Sequence, residues 1–260
     1  MKKKIQLKDE NLNWKEYEYS TIDELKEEFT KRNISIGNGA SIGNDASIGN
    51  RASISDDASI GDDASIGYRA SIGYGASIGY GASIGYRASI GYRASIGNRA
   101  SIGDDASIGN RTSIGDDASI GYRASIGNRA SIGDDASIGD DASIGDDASI
   151  GNRASIGDGA SIGYRASIGY GASIGNGASI GDDASIGDGV TLIKNFYIVG
   201  SKHPITYTCN NTLSIGCHNF SIDKWKECFK RVGEKEGYSN EQIEEYYQYV
   251  LMAEQFSKIG

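Results

Sequence analysis

Isoleucine recurs every six residues along most of this chain, and that period constrains the fold more than any other feature. The series runs without a slip from Ile36 to Ile186, and Leu192 takes the next place. Four letters of each unit hardly vary, so the array reads A-S-I-G-x-x, with x drawn almost wholly from Asp, Asn, Arg, Tyr and Gly. A strict short period over more than half of a chain predicts a repeat architecture in which each unit stacks on its neighbours.

Each unit predicts one short strand and one corner. Ala and Ile stand two positions apart, so in an extended segment their side chains share one side while Ser and Gly face the other. The Gly and the variable pair supply turn chemistry. Burying one Ile contributes about 1.5–3 kcal/mol, whereas ordering six residues costs about 1–2 kcal/mol each. One repeat therefore cannot fold alone, and stability is expected from stacking many.

The pattern resembles the hexapeptide repeat of left-handed β-helix proteins, the bacterial transferase hexapeptide superfamily, in which three units complete one triangular coil. The resemblance covers Ile36 to about Leu192 and implies an all-β solenoid, a left-handed parallel β-helix of about nine coils. At about 4.8 Å per strand layer the prism is roughly 40 Å long. Pro204, the single proline, lies outside the array, as uninterrupted hydrogen bonding between coils requires. Disorder is the alternative, but it gives no reason to keep Ile in register.

Two segments of similar sequence flank the array and predict a helical cap at each end. They read STIDELKEEFTKR (20–32) and SIDKWKECFKR (221–231), and each places Ile, Leu or Trp, and Phe at i, i+3 and i+7 on one helix face. Ser or Thr ahead of an acidic first turn is a helix start signal. We expect an N-terminal strand and capping helix in 1–33, the β-helix in 34–192, and a C-terminal β segment with a helical cap in 193–260.

The sequence after the array is rich in β-branched and aromatic residues and predicts two or three strands followed by two helices. The first helix is expected over about 222–232, ended by Gly233. The second runs to about Lys258, with Ser239 and Gln242 in the positions of a capping box. This tail, with IVGSKHPITYT and SIGCHNFSIDKW, is similar to C-terminal segments of hexapeptide-repeat proteins encoded by gut bacteria and their phages. That resemblance implies no established activity.

Left-handed β-helix proteins are best known as acyl- and acetyltransferases, usually trimers with active sites between neighbouring prisms, and in many a histidine is the general base. The resemblance therefore implies acetyl-CoA or acyl-CoA as the cofactor of an enzyme, and a homotrimer as the assembly. This sequence departs from that pattern, because no His, no Lys and no insertion occurs between Ser35 and Thr191. A catalytic base would have to come from the tail.

Three tail residues are the candidates for catalysis. His203 and His218 are the two histidines, and histidine changes charge near neutral pH, so either could be a general base. Cys217 beside His218 could be a nucleophile. Structural or surface roles are the alternative for all three. Their spacing with Cys209 and Cys228 matches no recognised zinc-binding pattern, so we expect no metal site.

Tyrosine occupies five consecutive corners of the predicted prism. Since positions 18 apart become vertical neighbours, two stacked pairs are expected among them. Tyrosine suits both protein interfaces and sugar stacking. Corner stacking or trimer packing is one interpretation, and a belt that binds a small molecule or glycan is the other. The five residues are Tyr68, Tyr74, Tyr80, Tyr86 and Tyr92.

The net charge of −9 lies on the prism. The repeats hold 19 Asp and 10 Arg, whereas the 16 basic and 16 acidic residues elsewhere cancel. Such a surface argues against nucleic-acid and anionic-membrane partners, which need cationic faces. The pairs 116–117 and 134–135 stack carboxylates that could hold a calcium ion or splay into solvent. Another corner is predicted to form a ladder of alternating sign, which runs Arg129, Asp147, Arg165, Asp183.

Two functions remain open. A rigid structural or binding module with an unknown ligand is the first expectation, and a CoA- or carrier-dependent acyltransferase with its site near the C-terminal segment is the alternative. Ice binding is disfavoured, because the outward pair on each strand is Ser and Gly rather than two Thr. No apolar run approaches the roughly 18 residues that span a bilayer. Three cysteines make no disulfide framework and favour a cytoplasmic location.

Overall fold

The computed structural model describes residues 2–9, 13–192, 197–208 and 212–257. The chain opens with an antiparallel hairpin, β1 (Lys3–Lys8) and β2 (Trp14–Tyr19), in which Lys3 pairs with Tyr19 and Lys8 with Trp14. A 3₁₀ turn (Ile22–Leu25) then leads into the short helix α1 (Lys26–Lys31).

The repeats form 27 short parallel strands, β3–β29. Each strand runs from the Ser of its repeat to the Ile, every six residues from Ser35–Ile36 (β3) to Ser185–Ile186 (β28). Strand β5 (Ala46–Ile48) includes the Ala as well, and Thr191–Leu192 (β29) ends the series. The strands divide over three faces with nine on each, so three repeats make one coil and nine coils stack. The predicted left-handed β-helix of about nine coils is confirmed.

Successive coils pair in register at a separation of 18 residues. Ser77 lies beside Ser95 and Ile78 beside Ile96, and the same pattern recurs along every face. The Ala and Ile side chains fill the interior and most are at most 2% exposed, while most of the Ser side chains face outward. The predicted division of each repeat into an apolar and a polar side is therefore confirmed.

The repeat Gly is required by the spacing between coils rather than by the turn. Its φ is not in the left-handed region at Gly139, and a Cβ built there would lie 2.4 Å from Asp158 Oδ1 and 2.6 Å from the Asp158 nitrogen on the next coil. The same obstruction, at 2.2–2.8 Å, recurs at the fourth-position Gly of the repeats from Gly37 to Gly169. We predicted turn chemistry for this residue, and the structure gives a different reason for it.

The left-handed residue of each corner is the second of the variable pair. At the corner of Gly121 and Tyr122, for example, Arg123 has a φ of 55°, and the next N–H, of Ala124, donates to the carbonyl of Gly121 at 3.4 Å. A positive φ at the third of four residues defines a type II turn. The conformation is free of strain for Gly, which fills several corners, and costs other residues about 1–2 kcal/mol.

The first corner residue has a structural role that the sequence analysis missed. Where it is Asn or Asp, its Oδ1 accepts the backbone N–H of the equivalent residue one coil earlier. Asp140 Oδ1 accepts from Tyr122 at 2.7 Å, and Asp134 Oδ1 accepts from Asp116 at 2.9 Å. Thirteen further corners repeat this bond. Carboxylates proposed as calcium ligands thus already serve the backbone.

The predicted ladder of alternating charge forms on the surface. Arg129 lies 2.5 Å from Asp147, and Arg165 lies 3.5 Å from Asp183. Both arginines are about 60% exposed. Ion pairs in such positions contribute about 0–1 kcal/mol. The ladder therefore adds little to the stability of the prism.

The N-terminal segment covers the first coil, as predicted. Strand β1 pairs in parallel with β5, and Ile5 and Leu7 are completely buried in the solenoid core. Leu25 and Phe29 from the helical segment join the same core, at 3% and 4% exposed. Arg32, just after α1, ties the cap together by donating to the Lys8 carbonyl, the Glu28 carboxylate and the Tyr17 hydroxyl.

The C-terminal unit, residues 197–257, combines one sheet with two helices. Four antiparallel strands form one sheet: β30 (Tyr197–Val199), β31 (Pro204–Thr208), β32 (Thr212–Ile215) and β33 (His218–Ser221). Helices α2 (Ile222–Lys235) and α3 (Asn240–Ser257) pack with it.

The apolar face of α2 belongs to this second core and not to the solenoid core. Ile222 and Trp225 are buried with Leu213 of β32 and Val250 of α3, and no residue of the repeats joins them among the described positions. The apolar face of α2 is taken up by the four-stranded sheet. Coverage of the open end of the prism by the C-terminal helix stays a prediction. The division of the chain at residues 33 and 192 stays a prediction.

The helix boundaries of the C-terminal unit correct one expectation and confirm another. Gly233 does not end α2, which continues to Lys235. Ile243 instead packs where a side chain at position 233 would lie, and its Cγ1 would be 2.6 Å from an added Cβ. The left-handed residue after the helix is Gly237, with a φ of 67°. The capping box of α3 is confirmed, since Ser239 N–H donates to the Gln242 side chain and Gln242 N–H donates to Ser239 Oγ.

We predict that Gly139→Ala lowers the stability of the array by about 1–3 kcal/mol, the usual cost of inserting a methyl group into a packed interior. Gly187→Ala is the matched control, because the nearest atom to a Cβ there is Val190 Cγ2 at 3.9 Å. The midpoint of urea unfolding is the measurement. Equal midpoints for the two variants would contradict the spacing argument.

We also predict that the N-terminal cap loosens in acid. Hydrogen bonds from Lys31 and Arg32 lower the pKa of Glu28 from its usual 4.5 to about 2. Because the folded-state pKa is depressed, the stabilisation is complete above about pH 4.5 and is lost as the pH falls towards 2. Hydrogen exchange in α1, corrected for the intrinsic rate, should rise over that window. Glu28→Gln should lack this dependence, while substitution of the exposed neighbour Glu27 by Gln should retain it.

Candidate functional site

A cavity of about 180 Å³ in the C-terminal unit brings together all three predicted catalytic residues. His203, Cys217 and His218 line it together with apolar and aromatic side chains from the sheet and both helices. We call it the tail cavity. Its other lining residues are Ile215, Trp225, Phe229, Val232, Gly233, Glu236, Tyr238, Ile243 and Tyr246.

His218 is held by a carboxylate. Its Nε2 lies 3.1 Å from Glu236 Oε1, and both side chains are partly exposed, at 26% and 36%. The contact forms because β33 leads directly into α2, and the 14-residue helix folds back along the strand that precedes it. The Trp225 ring meets the His218 imidazole edge-on at 6.4 Å. A carboxylate on one nitrogen fixes the orientation of an imidazole and leaves the other nitrogen for chemistry.

His203 is held through its backbone. The Tyr246 hydroxyl donates to the His203 carbonyl at 2.7 Å and accepts the N–H groups of His203 and Lys202 at 2.5 and 3.0 Å. The imidazole lies 5.8 Å from the Tyr238 ring, and Gly216 packs closely on its other side, where an added Cβ would meet His203 Cγ at 3.1 Å. The loop that carries His203 is therefore anchored to α3.

Cys217 occupies the tight turn between β32 and β33. Gly216 before it has a φ of 57°, and the thiol is exposed and unpaired with another cysteine. Cys217 and His203 also line a second cavity of about 240 Å³, which separates the C-terminal unit from Asp183 and Ser185 of the last coils. The turn thus stands between the tail cavity and the end of the solenoid.

Tyr238 and Lys202 close another part of the site. Burial, with the neighbouring Tyr246, raises the pKa of the Tyr238 hydroxyl, so this group stays a neutral donor at physiological pH. The Lys202 ammonium lies 4.6 Å from the centre of the Tyr238 ring and donates to the carbonyls of Glu236 and Gly237, at 2.7 and 3.0 Å. A cation beyond the C-terminal end of a helix is favourable there.

The arrangement can bind a small apolar group and offer it one histidine–carboxylate pair. A base and an exposed thiol also stand at the same cavity, the components of proton transfer and of nucleophilic attack. Across the portion of the chain with assigned positions, no group of three or more His, Cys, Asp or Glu could hold a metal ion. Cys209, a member of the metal set weighed from the sequence, lies outside the described residues.

The five predicted tyrosines lie on corners of the solenoid and do not line the tail cavity. Four of them stack in pairs. Tyr68 stacks on Tyr86 at 5.6 Å and Tyr74 on Tyr92 at 5.5 Å, as the 18-residue spacing predicted. Tyr80 is 54% exposed, and its hydrogen bond with Asp63 raises the pKa of its hydroxyl.

Arginines cover several of these rings. The guanidinium of Arg93 lies 5.1 Å from the ring centre of Tyr92, and those of Arg51 and Arg69 lie within 6 Å of Tyr68. Cation–π contacts at exposed sites contribute about 0.5–1 kcal/mol each. Much of the ring area that a sugar would need is thus already in contact with the protein.

Sequence reasoning missed Glu236, the partner of His218. The two residues are 18 apart, with a helix between them, and no local motif joins them. The signal lies in the geometry of the strand–helix pair, because a helix packed antiparallel to the preceding strand returns its C-terminal end to the start of that strand. Tyr238 and Tyr246 were missed for the same reason, since Tyr238 lies between α2 and α3, Tyr246 lies on α3, and both reach the cavity only through the packing of the helices.

Family models match segments of the repeat array. The model described as bacterial transferase hexapeptide (six repeats) matches residues 129–164, and the model described as hexapeptide repeat of succinyl-transferase matches residues 57–85 and 153–194. A comparison with curated proteins finds no match.

Similar solved structures are UDP-N-acetylglucosamine acyltransferases. Those from Moraxella catarrhalis and Acinetobacter baumannii are 20% and 19% identical, with TM-scores of 0.36 and 0.35. The first match covers 56% of this chain and 60% of the other, less than two thirds of it, and the second covers 81% and 78%. The enzyme from Campylobacter jejuni is 20% identical, with a TM-score of 0.32 and coverage of 84% and 94%. At these TM-scores the likeness carries no argument about activity.

In the parts of the chain that the structure places, no helix is both long and apolar enough to cross a membrane.

Proposed function

We propose that this chain, whose residues 57–85 and 129–194 match hexapeptide-repeat models, is a rigid solenoid that carries a small-molecule binding site in its C-terminal unit. The observation that supports this most is the tail cavity, where His203, Cys217 and His218 meet beside Glu236. A largely apolar pocket with a few convergent polar groups is the usual form of a ligand site.

The solenoid is the less suitable place for the site. In 15 of its corners the Asn or Asp at the first position accepts a backbone N–H of the neighbouring coil, as Asp140 does from Tyr122. Its strands offer Ser side chains and no histidine or lysine. The array therefore acts as the support, and the ligand is expected in the C-terminal unit.

The volume of the tail cavity sets the size of the group that it can take. A cavity of 150 Å³ in another protein binds benzene, and this one measures about 180 Å³. One aromatic ring with a short substituent matches that volume and the aromatic lining. Larger ligands would place only one such group inside.

We predict that benzyl alcohol binds in the tail cavity, as measured by ligand-observed NMR with competition. Val232→Trp should weaken binding at least tenfold, because Val232 lines the cavity and the new ring would fill it. Met252→Trp is the matched control, because it adds the same ring at a position that is 50% exposed. Circular dichroism and thermal unfolding establish that Val232→Trp folds, with Ile243→Phe as a smaller replacement if it does not. Absence of binding to the unaltered chain, or equal binding by a folded cavity variant, would refute the site.

Acyl transfer is a second candidate function, favoured by the pairing of His218 with Glu236. An acceptor O–H or N–H would attack the thioester carbonyl of acetyl-CoA or another acyl-CoA, and its proton would pass to His218. The C–S bond would then break, and His218 would return the proton to the departing sulfur, which leaves as the CoA thiol. Cys217 is the alternative nucleophile, and His203 lines the same cavity.

For this candidate we predict that acetyl-CoA raises the thermal unfolding midpoint and that thiol release falls at least a hundredfold in His218→Ala. His203→Ala serves as the comparison, because its imidazole contacts no carboxylate among the interactions of the described residues. No shift and no thiol release with any amine or alcohol acceptor would reject acyl transfer and leave the binding function in place.

The assembly and location are part of the same proposal. The resemblance favours a homotrimer, and Tyr74 and Tyr80, 42% and 54% exposed, are the members of the five-tyrosine set with the most area for contact with a neighbouring prism or a glycan. The charge of the prism favours partners other than nucleic acids and membranes. The cysteine content favours the cytoplasm.

A further inference from the structure

The tail cavity has a negative character that its size alone does not reveal. Among its lining residues Glu236 is the single permanently charged side chain, and no Lys or Arg lines it. The Tyr238 hydroxyl is neutral at pH 7.5, and burial raises its pKa further. An apolar pocket with one carboxylate and no cation disfavours anionic ligands, because a desolvated charge needs an opposite partner.

The Glu236 carboxylate is placed to meet a ligand. One oxygen, Oε1, contacts His218 Nε2 at 3.1 Å. A neutral imidazole that donates to a carboxylate orients it without cancelling its charge. The side chain is 36% exposed, so it lies where the cavity opens rather than in its floor. A cationic head group could therefore reach it without leaving water completely.

The walls favour the same sign of charge. Trp225, Phe229, Tyr238 and Tyr246 supply four aromatic rings, and ring faces attract cations. The C-terminal end of α2, which carries the negative end of the helix dipole, lies at Glu236. A cation of the chain itself already binds beside these groups, because the Lys202 ammonium lies over the Tyr238 ring and donates to the Glu236 carbonyl. Lys202 does not line the cavity.

We infer that the tail cavity selects a small organic cation: an ammonium group that pairs with Glu236, carried by one aromatic ring that fills the apolar part of the cavity. The inference rests on the proposed binding function and names the class of ligand. In the tail cavity, Glu236 determines which ligand charge is bound, and His218 positions Glu236.

Three probes of one shape and different charge test this inference. Benzylamine is cationic at pH 7.5, benzyl alcohol is neutral and benzoate is anionic, and all three place the same ring in the cavity. By titration calorimetry or NMR, benzylamine should bind at least tenfold more tightly than benzyl alcohol, and benzoate should bind most weakly.

Glu236→Gln should bring the affinity for benzylamine to within about twofold of that for benzyl alcohol. Glu234→Gln is the matched control, because Glu234 is exposed on the same helix and does not line the cavity. This variant should prefer benzylamine over benzyl alcohol by the same factor as the unaltered chain.

The outcomes separate the two proposals. Equal affinities for benzylamine and benzyl alcohol, or tightest binding of benzoate, would overturn cation selectivity while the binding function stands. A preference that survives in a folded Glu236→Gln would overturn the role of Glu236. Absence of binding by all three probes would overturn both the inference and the binding site on which it rests.

Discussion

The close approach of successive coils is the constraint on which the rest of the solenoid depends. Hydrogen bonds between parallel strands set the separation at about 4.8 Å, and from Gly37 to Gly169 a Cβ added at the fourth-position Gly would lie 2.2–2.8 Å from the next coil. Once that spacing holds, Ile stacks on Ile inside, Ser on Ser outside, and each Asn or Asp corner comes within reach of an N–H one coil away. Ser55 is the one repeat residue in place of this Gly, and its N–H still donates to the Ile72 carbonyl of the next coil at 2.9 Å.

The sequence could predict what depends on a period and could not predict what depends on tertiary placement. The coil count, the buried Ile and the pairing of Tyr68 with Tyr86 all follow from the numbers 6 and 18. The cap on the N-terminal end followed from a helix face that contains Phe29. The similar face containing Trp225 carried the same pattern, yet it packs on a sheet of its own. An amphipathic pattern shows that one face of a helix packs against other apolar residues, but it does not identify which part of the chain supplies them.

The candidate site shows the same limit at the level of single residues. His203, Cys217 and His218 could be chosen from the sequence because reactive side chains are few in this chain. Their convergence on one cavity, and the presence of Glu236 beside His218, depend on how the α2 helix returns along β33. Among the variable corner residues, 15 Asn and Asp side chains accept a backbone N–H of the neighbouring coil, a role that the repeat pattern alone did not predict.

The in-register stacking of identical coils has a geometric consequence. Since every interior interface is the same, adding or removing 18 residues leaves all contacts equivalent and changes the separation of the two ends by one strand spacing, about 4.8 Å. A change of six residues would instead turn everything beyond it by one face of the prism, a third of a full rotation. The number of repeats therefore sets both the distance and the direction in which the chain holds its C-terminal unit away from its N-terminal end, as a graduated spacer does.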